Sequence, residues 1–167
     1  MIIRLSQKLS KKVGEAPTGS LPLAPSPLAD WSGHLFTADR TQYVIFTNTA
    51  SLYSAIFLGR GVTDGARLID RGFAAIRDVM VGDGLGWLYQ RLVASSAASV
   101  RFSKSLNRSV TGSMNDLINC AKIGLVEEGL SPYDISFKLN DMPMSAIEYA
   151  NPRESLVELA ADAPELA

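Results

Sequence analysis

Cysteine and histidine are nearly missing from this sequence. One of each, Cys120 and His34, occurs among the 167 residues. A single cysteine excludes an intramolecular disulfide and a cysteine-based zinc site, and it is typical of a protein from a reducing compartment. With a single histidine, most ligands of a metal site would have to be Asp and Glu carboxylates. No paired spacing of Asp and Glu stands out in the sequence. We therefore predict no metal site and no cofactor.

The same scarcity weakens an enzymatic interpretation. A Ser–His–Asp arrangement would need His34 beside a serine such as Ser113 and a carboxylate, which nothing in the sequence indicates. His34 lies in a predicted strand, where a packed histidine is commoner than a catalytic base. Cys120 falls beside the apolar stripe of a predicted helix and is expected to be a small buried hydrophobic residue. No catalytic motif is recognised.

The sequence also lacks an excess of positive charge and long apolar runs. Lys and Arg number 16 against 17 for Asp and Glu, which gives a net charge of −1. General nucleic-acid binding needs a basic surface and is not expected, although a local basic patch stays open. No apolar run approaches the ~18 residues of a membrane span, and residues 1–13 lack the apolar core of a signal peptide. A cytoplasmic protein without a membrane segment is expected.

What the sequence does contain is the composition of an ordinary globular protein, with 47% hydrophobic and 20% charged residues. A chain of this length is large enough for one domain with its own core. We expect a single domain over residues 1–160. The ending A-A-D-A-P-E-L-A predicts a flexible tail over residues 161–167.

The apolar patterns predict an α+β fold. The strands are expected within residues 1–5, 33–58 and 99–104. The run H-L-F-T-A, the turn D-R-T and the run Q-Y-V-I-F-T-N predict a hairpin, so a mainly antiparallel sheet of about four or five strands is expected. Residues 43–46 are apolar on both faces, which predicts a central strand. Helices that begin at Thr63 and Ser113, and a helical C-terminal third, would pack against this sheet.

A short amphipathic helix is predicted over residues 6–13, with Ser6 as its N-cap. Lys8, Lys11 and Lys12 fall mostly opposite its apolar side. They form a candidate anion-facing surface, although an ordinary solvated helix face is the simpler interpretation.

Proline marks the segment that follows. Residues 16–30 hold four of the eight prolines, which predicts an extended connection. Leucines spaced along it favour a segment that lies against the body of the protein. A proline-rich ligand for an aromatic groove is the alternative.

The stretch K-S-L-N-R-S-V-T-G-S-M-N-D-L, residues 104–117, carries the main candidate site. Ser113 is predicted as a helix N-cap, with Gly112 permitting a tight turn before it. The helix dipole, free amide groups and the Arg108 guanidinium would then bind an anion. Alternatively the turn is architecture, and Arg108 pairs with a carboxylate. The candidate ligand-binding residues are Asn107, Arg108, Ser109, Thr111, Gly112, Ser113 and Asn115.

A second candidate is Arg40 at the tip of the predicted hairpin, although hairpin tips are usually only turns. The spacing G-x-x-x-x-G-K-[ST] of a phosphate-binding P-loop is absent.

Four stretches resemble the signature segments of a bacterial domain-of-unknown-function family. They are L-F-T-A-D-R at 35–40, F-T-N at 46–48, N-R-S-V-T-G-S-M-N-D-L at 107–117 and M-S-A-I-E-Y at 144–149. The resemblance extends from residue 1 to about residue 159. It implies a stand-alone bacterial protein of one domain. The family has no agreed activity, so the resemblance implies related proteins but no particular reaction.

These observations favour a non-catalytic binding module with an anionic ligand. The ligand would be a phosphorylated small molecule, a nucleotide or an acidic segment of a protein partner. An enzyme acting on a phosphate- or carboxylate-bearing substrate, with Arg108 as electrostatic stabiliser, is the alternative. A regulatory partner in a toxin–antitoxin or phage-defence pair is a third interpretation.

Overall fold

The structure is a computed structural model that describes residues 1–94 and 99–163. Its five strands form one sheet in the order β4-β3-β2-β1-β5. The strands are β1 (Ile2–Leu5), β2 (Asp30–Ala38), β3 (Thr41–Asn48), β4 (Ser54–Leu58) and β5 (Arg101–Lys104). The predicted α+β class and the mainly antiparallel sheet are confirmed.

Six α-helices accompany the sheet in the described part of the chain. They are α1 (Gln7–Val13), α2 (Gly65–Gly82), α3 (Gly86–Leu88), α4 (Arg108–Val126), α5 (Pro132–Asn140) and α6 (Pro152–Asp162). A π-helical turn, Tyr89–Val93, continues α3, and 3-10 turns occur at Pro27–Ala29 and Ser145–Ile147. The C-terminal third is helical, as predicted. Residues 161 and 162 of the predicted tail belong to α6, and residues 164–167 lie outside the described residues.

Strand β1 is the exception to antiparallel pairing, because it pairs in parallel with both β2 and β5. Parallel neighbours need a long crossover connection. Helix α1 and the proline-rich segment supply that connection between β1 and β2. Strands β2, β3 and β4 follow one another through short antiparallel connections. The β2–β3 turn consists of Asp39 and Arg40, both with positive φ (47° and 65°), as a two-residue hairpin turn requires.

The core has two apolar layers, one on each face of the sheet. Helices α1, α2 and α6 contribute to the first layer, and α4 and α5 contribute to the second. In β3, Val44 and Phe46 belong to the first layer and Ile45 to the second, and all three are fully buried. The prediction of a central strand covered on both faces is confirmed.

Helix α2 contacts the Phe46 side chain of β3 at Gly72. A Cβ atom at this position would overlap the ring of Phe46. A glycine within a helix weakens it by ~1 kcal/mol relative to alanine, but here the missing Cβ admits the aromatic ring. The contact with β3 therefore holds this segment in helical form.

A buried ion pair ties the proline-rich segment to the sheet. Arg4 of β1 donates from Nε and Nη2 to the two carboxylate oxygens of Asp30 at 2.9 and 2.8 Å. The remaining guanidinium protons reach the carbonyl oxygens of Leu21 (2.7 Å) and Pro22 (3.0 Å). Because both charged side chains are essentially inaccessible to solvent, this network positions the start of β2 beside β1. The expectation that the segment lies on the body of the protein is confirmed.

Candidate functional site

The predicted N-cap at Ser113 is wrong. Helix α4 begins at Arg108, and Asn107 is its N-cap, with Oδ1 accepting the Val110 amide at 3.0 Å. Asparagine is at least as good a cap as serine, so the helix begins where the first good cap occurs. Ser113 is buried within the helix and belongs to its core-facing side. Residues 108–112 form the first turns of this helix and are mostly exposed, so they are not a turn that precedes it.

The residues of that stretch lie in the first turns of α4, and most of them are exposed. Arg108 and Ser109 are exposed, and Thr111 donates its hydroxyl to the Asn107 carbonyl oxygen at 3.2 Å. Gly112 has open space around its missing Cβ and an ordinary helical φ, so no tight turn requires it. Among the described residues, Arg108 has no carboxylate partner. Ligand binding by these residues stays a prediction.

Arg40 lies at the predicted hairpin tip and is exposed there. Asn115, the last residue of the predicted set, lies elsewhere. It is on the exposed side of α4 and lines a cavity of about 1090 Å³ at the end of β1. Asn119, one helical turn further along α4, lines the same cavity.

This cavity, here called the lysine cleft, opens because β1 is shorter than β2. Strand β1 ends at Leu5, opposite Gly33, whereas β2 continues to Ala38. Helix α1 borders the cleft on one face of β2, and α4 borders it on the other. The lining residues are Ser6, Gln7, Lys8, Lys11, Lys12, His34, Leu35, Phe36, Thr37, Gln42, Asn115, Ile118, Asn119 and Lys122.

Local sequence explains how α1 presents its lysines. The helix begins at the Ser6 cap, as predicted, where the hydroxyl oxygen accepts the Leu9 amide at 3.3 Å. Burial of Leu9 and Val13 in the core turns the opposite side of the helix outwards. Lys8, Lys11 and Lys12 therefore face the cleft.

The α4 wall follows from helical spacing. Asn115, Asn119 and Lys122 are separated by four and three residues, which places them on one side of a helix. Leu117, Ile118 and the neighbouring apolar residues of α4 pack into the second core layer. This packing directs Lys122 and the two amide side chains into the cleft.

Positive charge dominates the cleft. Its lining contains four lysines and no Asp or Glu. Lys12 donates to the Gln42 side-chain oxygen at 2.9 Å. Within the described part of the chain, Lys8, Lys11 and Lys122 have no hydrogen-bond or ion-pair partner. The cleft therefore concentrates unneutralised ammonium groups in a protein whose net charge is −1.

His34 lies on the floor of the cleft, in β2, and only 9% of its surface is exposed. The His34 ring makes no hydrogen bond to a described residue. Among the described residues, every fully buried side-chain nitrogen or oxygen has a hydrogen-bond partner, so the unpaired ring nitrogens of His34 are not fully buried. The ring nitrogens are therefore accessible from the cleft. Burial lowers the pKa of His34 below its ordinary value of 6.5, so the ring is neutral at pH 7.

The sequence pattern identified part of each wall of this site. The three lysines of α1 were identified as a candidate anion-facing surface, and Asn115 was included in the predicted set. Lys122 and His34 were not, because only the folded sheet brings α4 and β2 next to α1. The spacing of Asn115, Asn119 and Lys122 was the one available signal.

Three further observations concern metal ligation, membrane-spanning helices and the single cysteine. No group of three or more His, Cys, Asp or Glu residues in the ranges 1–94 and 99–163 has a geometry that could hold a metal ion. The same ranges contain no helix long and apolar enough to cross a membrane. Cys120 is half-buried beside the second core layer, so it is less enclosed than predicted.

Comparison with known proteins gives one match. No curated protein and no solved structure matches the chain. The model of a family described as Domain of unknown function (DUF6933) matches residues 2–155, which include the whole sheet and every lining residue of the lysine cleft. The chain therefore belongs to the DUF6933 family.

Proposed function

We propose that this protein is a non-catalytic binding module that holds a polyanionic ligand in the lysine cleft. The observation that carries the proposal is the presence of four lysines without a carboxylate in one cavity. A cleft lined by one sign of charge focuses the electrostatic field and attracts ions of the opposite sign. The cysteine content supports a cytoplasmic location for this module.

The lysine spacing supports the same function. Lys8 and Lys12 are four residues apart on α1, and like charges at this spacing destabilise a helix by about 0.2–0.5 kcal/mol. Lys122 adds a further positive charge from the opposite wall. An anion bound between the walls would relieve the repulsion and accept hydrogen bonds from both. The exposed N-terminus of α4 has no comparable enclosure, since neither Asn107 nor Arg108 lines the cleft.

The test is binding of inorganic tripolyphosphate, measured by isothermal titration calorimetry. The variant Lys11→Gln/Lys122→Gln removes one ammonium group from each wall. We expect its affinity to fall ~10-fold or more, because each charge-assisted hydrogen bond contributes about 1.5–3 kcal/mol. Thermal unfolding of both proteins would show that the variant stays folded.

The matched control is Arg40→Asn/Arg108→Gln, which removes the same amount of charge from two exposed positions outside the cleft. Asparagine is chosen at position 40 because it tolerates the positive φ there. We expect an affinity within ~2-fold of the unmodified protein, since only long-range screened charge is lost. Equal losses in the two variants, or a loss in the control alone, would refute the lysine cleft as the site.

A further inference from the structure

The lysine cleft contains an unpaired strand edge as well as positive charge. Next to the end of the β2–β3 ladder, the Asp30 carbonyl oxygen accepts the Thr49 amide, and this register directs the backbone groups of the even-numbered residues of β2 towards β3. The Gly33 carbonyl oxygen accepts the Ser6 amide on the opposite side. By strand alternation, the amide and carbonyl groups of Leu35 and Thr37 point into the cleft.

These backbone groups have no partner in the described part of the chain. Strand β1 ends opposite Gly33, and no hydrogen bond from another segment reaches Leu35 or Thr37 on that side. The lining of the cleft includes both residues. A new strand could therefore continue along the line that β1 leaves vacant.

At the two outer edges of the sheet, other segments form hydrogen bonds with backbone groups of the edge strands. At the β4 edge, Asn140 of α5 pairs with both the amide and the carbonyl group of Ser54, and Ser136 accepts the Ile56 amide. At the β5 edge, the Lys104 amide donates to the Gly19 carbonyl oxygen at 3.1 Å. Proteins cover or pair sheet edges because open edges recruit other chains. In the described part of the chain, Leu35 and Thr37 of β2 have no such partner on their open side.

The positions of the charges indicate which chain would pair there. Leu35 and Thr37 point their side chains towards α1, while His34 and Phe36 point towards α4. The cleft thus surrounds the β2 edge on both faces of the sheet, with lysines on each. An added strand would direct alternate side chains to the two faces. Acidic side chains would meet Lys8 and Lys11 on one face, and Lys122 on the other.

We infer that the ligand of the lysine cleft is an acidic protein segment that binds in an extended conformation as a strand beside residues 35–37 of β2. This inference rests on the proposed anion-binding function and names its partner. Backbone hydrogen bonds to Leu35 and Thr37 provide affinity, and the lysines select Asp and Glu side chains, which is the general division of roles in strand addition.

The probe is an octaglutamate peptide, compared with the same peptide N-methylated at every amide. Both carry the same charge, but only the first can donate to a strand edge. We expect the unmodified peptide to bind at least ~10-fold more tightly, consistent with the loss of two or more hydrogen bonds. In the complex, amide hydrogen exchange at Leu35 and Thr37, followed by NMR, should slow. Equal binding of both peptides, or unchanged exchange at these amides, would overturn the inference.

Variants of Thr37 give an independent test. Thr37→Pro removes the free amide without breaking the β2–β3 ladder, and Thr37→Ala keeps that amide while removing the hydroxyl group. We expect octaglutamate binding to be at least ~10-fold weaker for Thr37→Pro than for Thr37→Ala. Equal affinities of the two folded variants would overturn the inference. If Thr37→Pro does not fold, the N-methylated peptide decides.

Tripolyphosphate separates this inference from the function on which it rests. Its binding should be the same in Thr37→Pro and Thr37→Ala, because it makes no strand pairing. Tripolyphosphate binding that depends on Lys11 and Lys122, together with equal affinities for octaglutamate and its N-methylated form, would refute strand addition. The proposed anion-binding function of the lysine cleft would then still be supported. If neither probe binds the unmodified protein, both the inference and the proposed function are refuted.

Discussion

The buried pair of Arg4 and Asp30 allows a quantitative test of how this sheet is held together. Arg4→Met keeps a long side chain and removes the charge, which leaves Asp30 buried with the Thr49 hydroxyl and the Ala24 amide as its remaining partners, at 2.7 and 3.0 Å. Removing one member of a buried pair destabilises a protein by about 3–5 kcal/mol, because the other charge stays uncompensated. The carbonyl oxygens of Leu21 and Pro22 lose a donor as well.

The chain offers a matched control for this substitution. Lys138 and Glu128 form an ion pair of 2.6 Å, with 51% and 40% of their side-chain surfaces exposed. Because exposed pairs contribute only about 0–1 kcal/mol, Lys138→Met should have little effect. Urea unfolding of both variants and the unmodified protein gives the free energies of unfolding. A loss for Arg4→Met within ~1 kcal/mol of the loss for Lys138→Met would refute the reasoning.

Two further predictions concern packing and pH. Gly72→Ala should lower the free energy of unfolding by about 1–3 kcal/mol, because the new methyl group meets Phe46. Gly112→Ala lies in open space on α4 and should raise the free energy of unfolding by roughly 0.5–1 kcal/mol. If urea unfolding showed that both substitutions stabilise the protein, the contact between Gly72 and Phe46 would be contradicted. Burial places the pKa of folded His34 below its unfolded value of 6.5, so the unfolded state binds more protons and stability should fall as the pH drops through 6.5 towards the folded pKa. Thermal unfolding from about pH 7.5 to about 5.5 should show a weaker decline for His34→Gln, and equal declines would show that His34 does not contribute.

Local sequence was sufficient to predict those elements whose boundaries depend on neighbouring residues. The Ser6 cap marks the start of α1 in the structure, as the sequence pattern predicts. The apolar run of residues 43–46 predicted a central strand because apolar side chains on both of its faces must be buried, and the two core layers bury them. The start of α4 was misplaced because Asn107 and Ser113 are both good caps. Burial of Ser113 on the side of α4 that faces the core decides between them, and burial is a tertiary property.

The lysine cleft could not be derived in the same way, because its geometry depends on pairing that the sequence does not encode locally. Strand β1 pairs in parallel with β2 and with β5, which is about 100 residues away along the chain. Only this pairing fixes where β1 ends relative to β2, and that end leaves Leu35 and Thr37 without a neighbour. Three lysines on a seven-residue helix are compatible with a simple solvated face. They become a candidate binding wall because α4 brings Lys122 to the other side of the same unpaired edge.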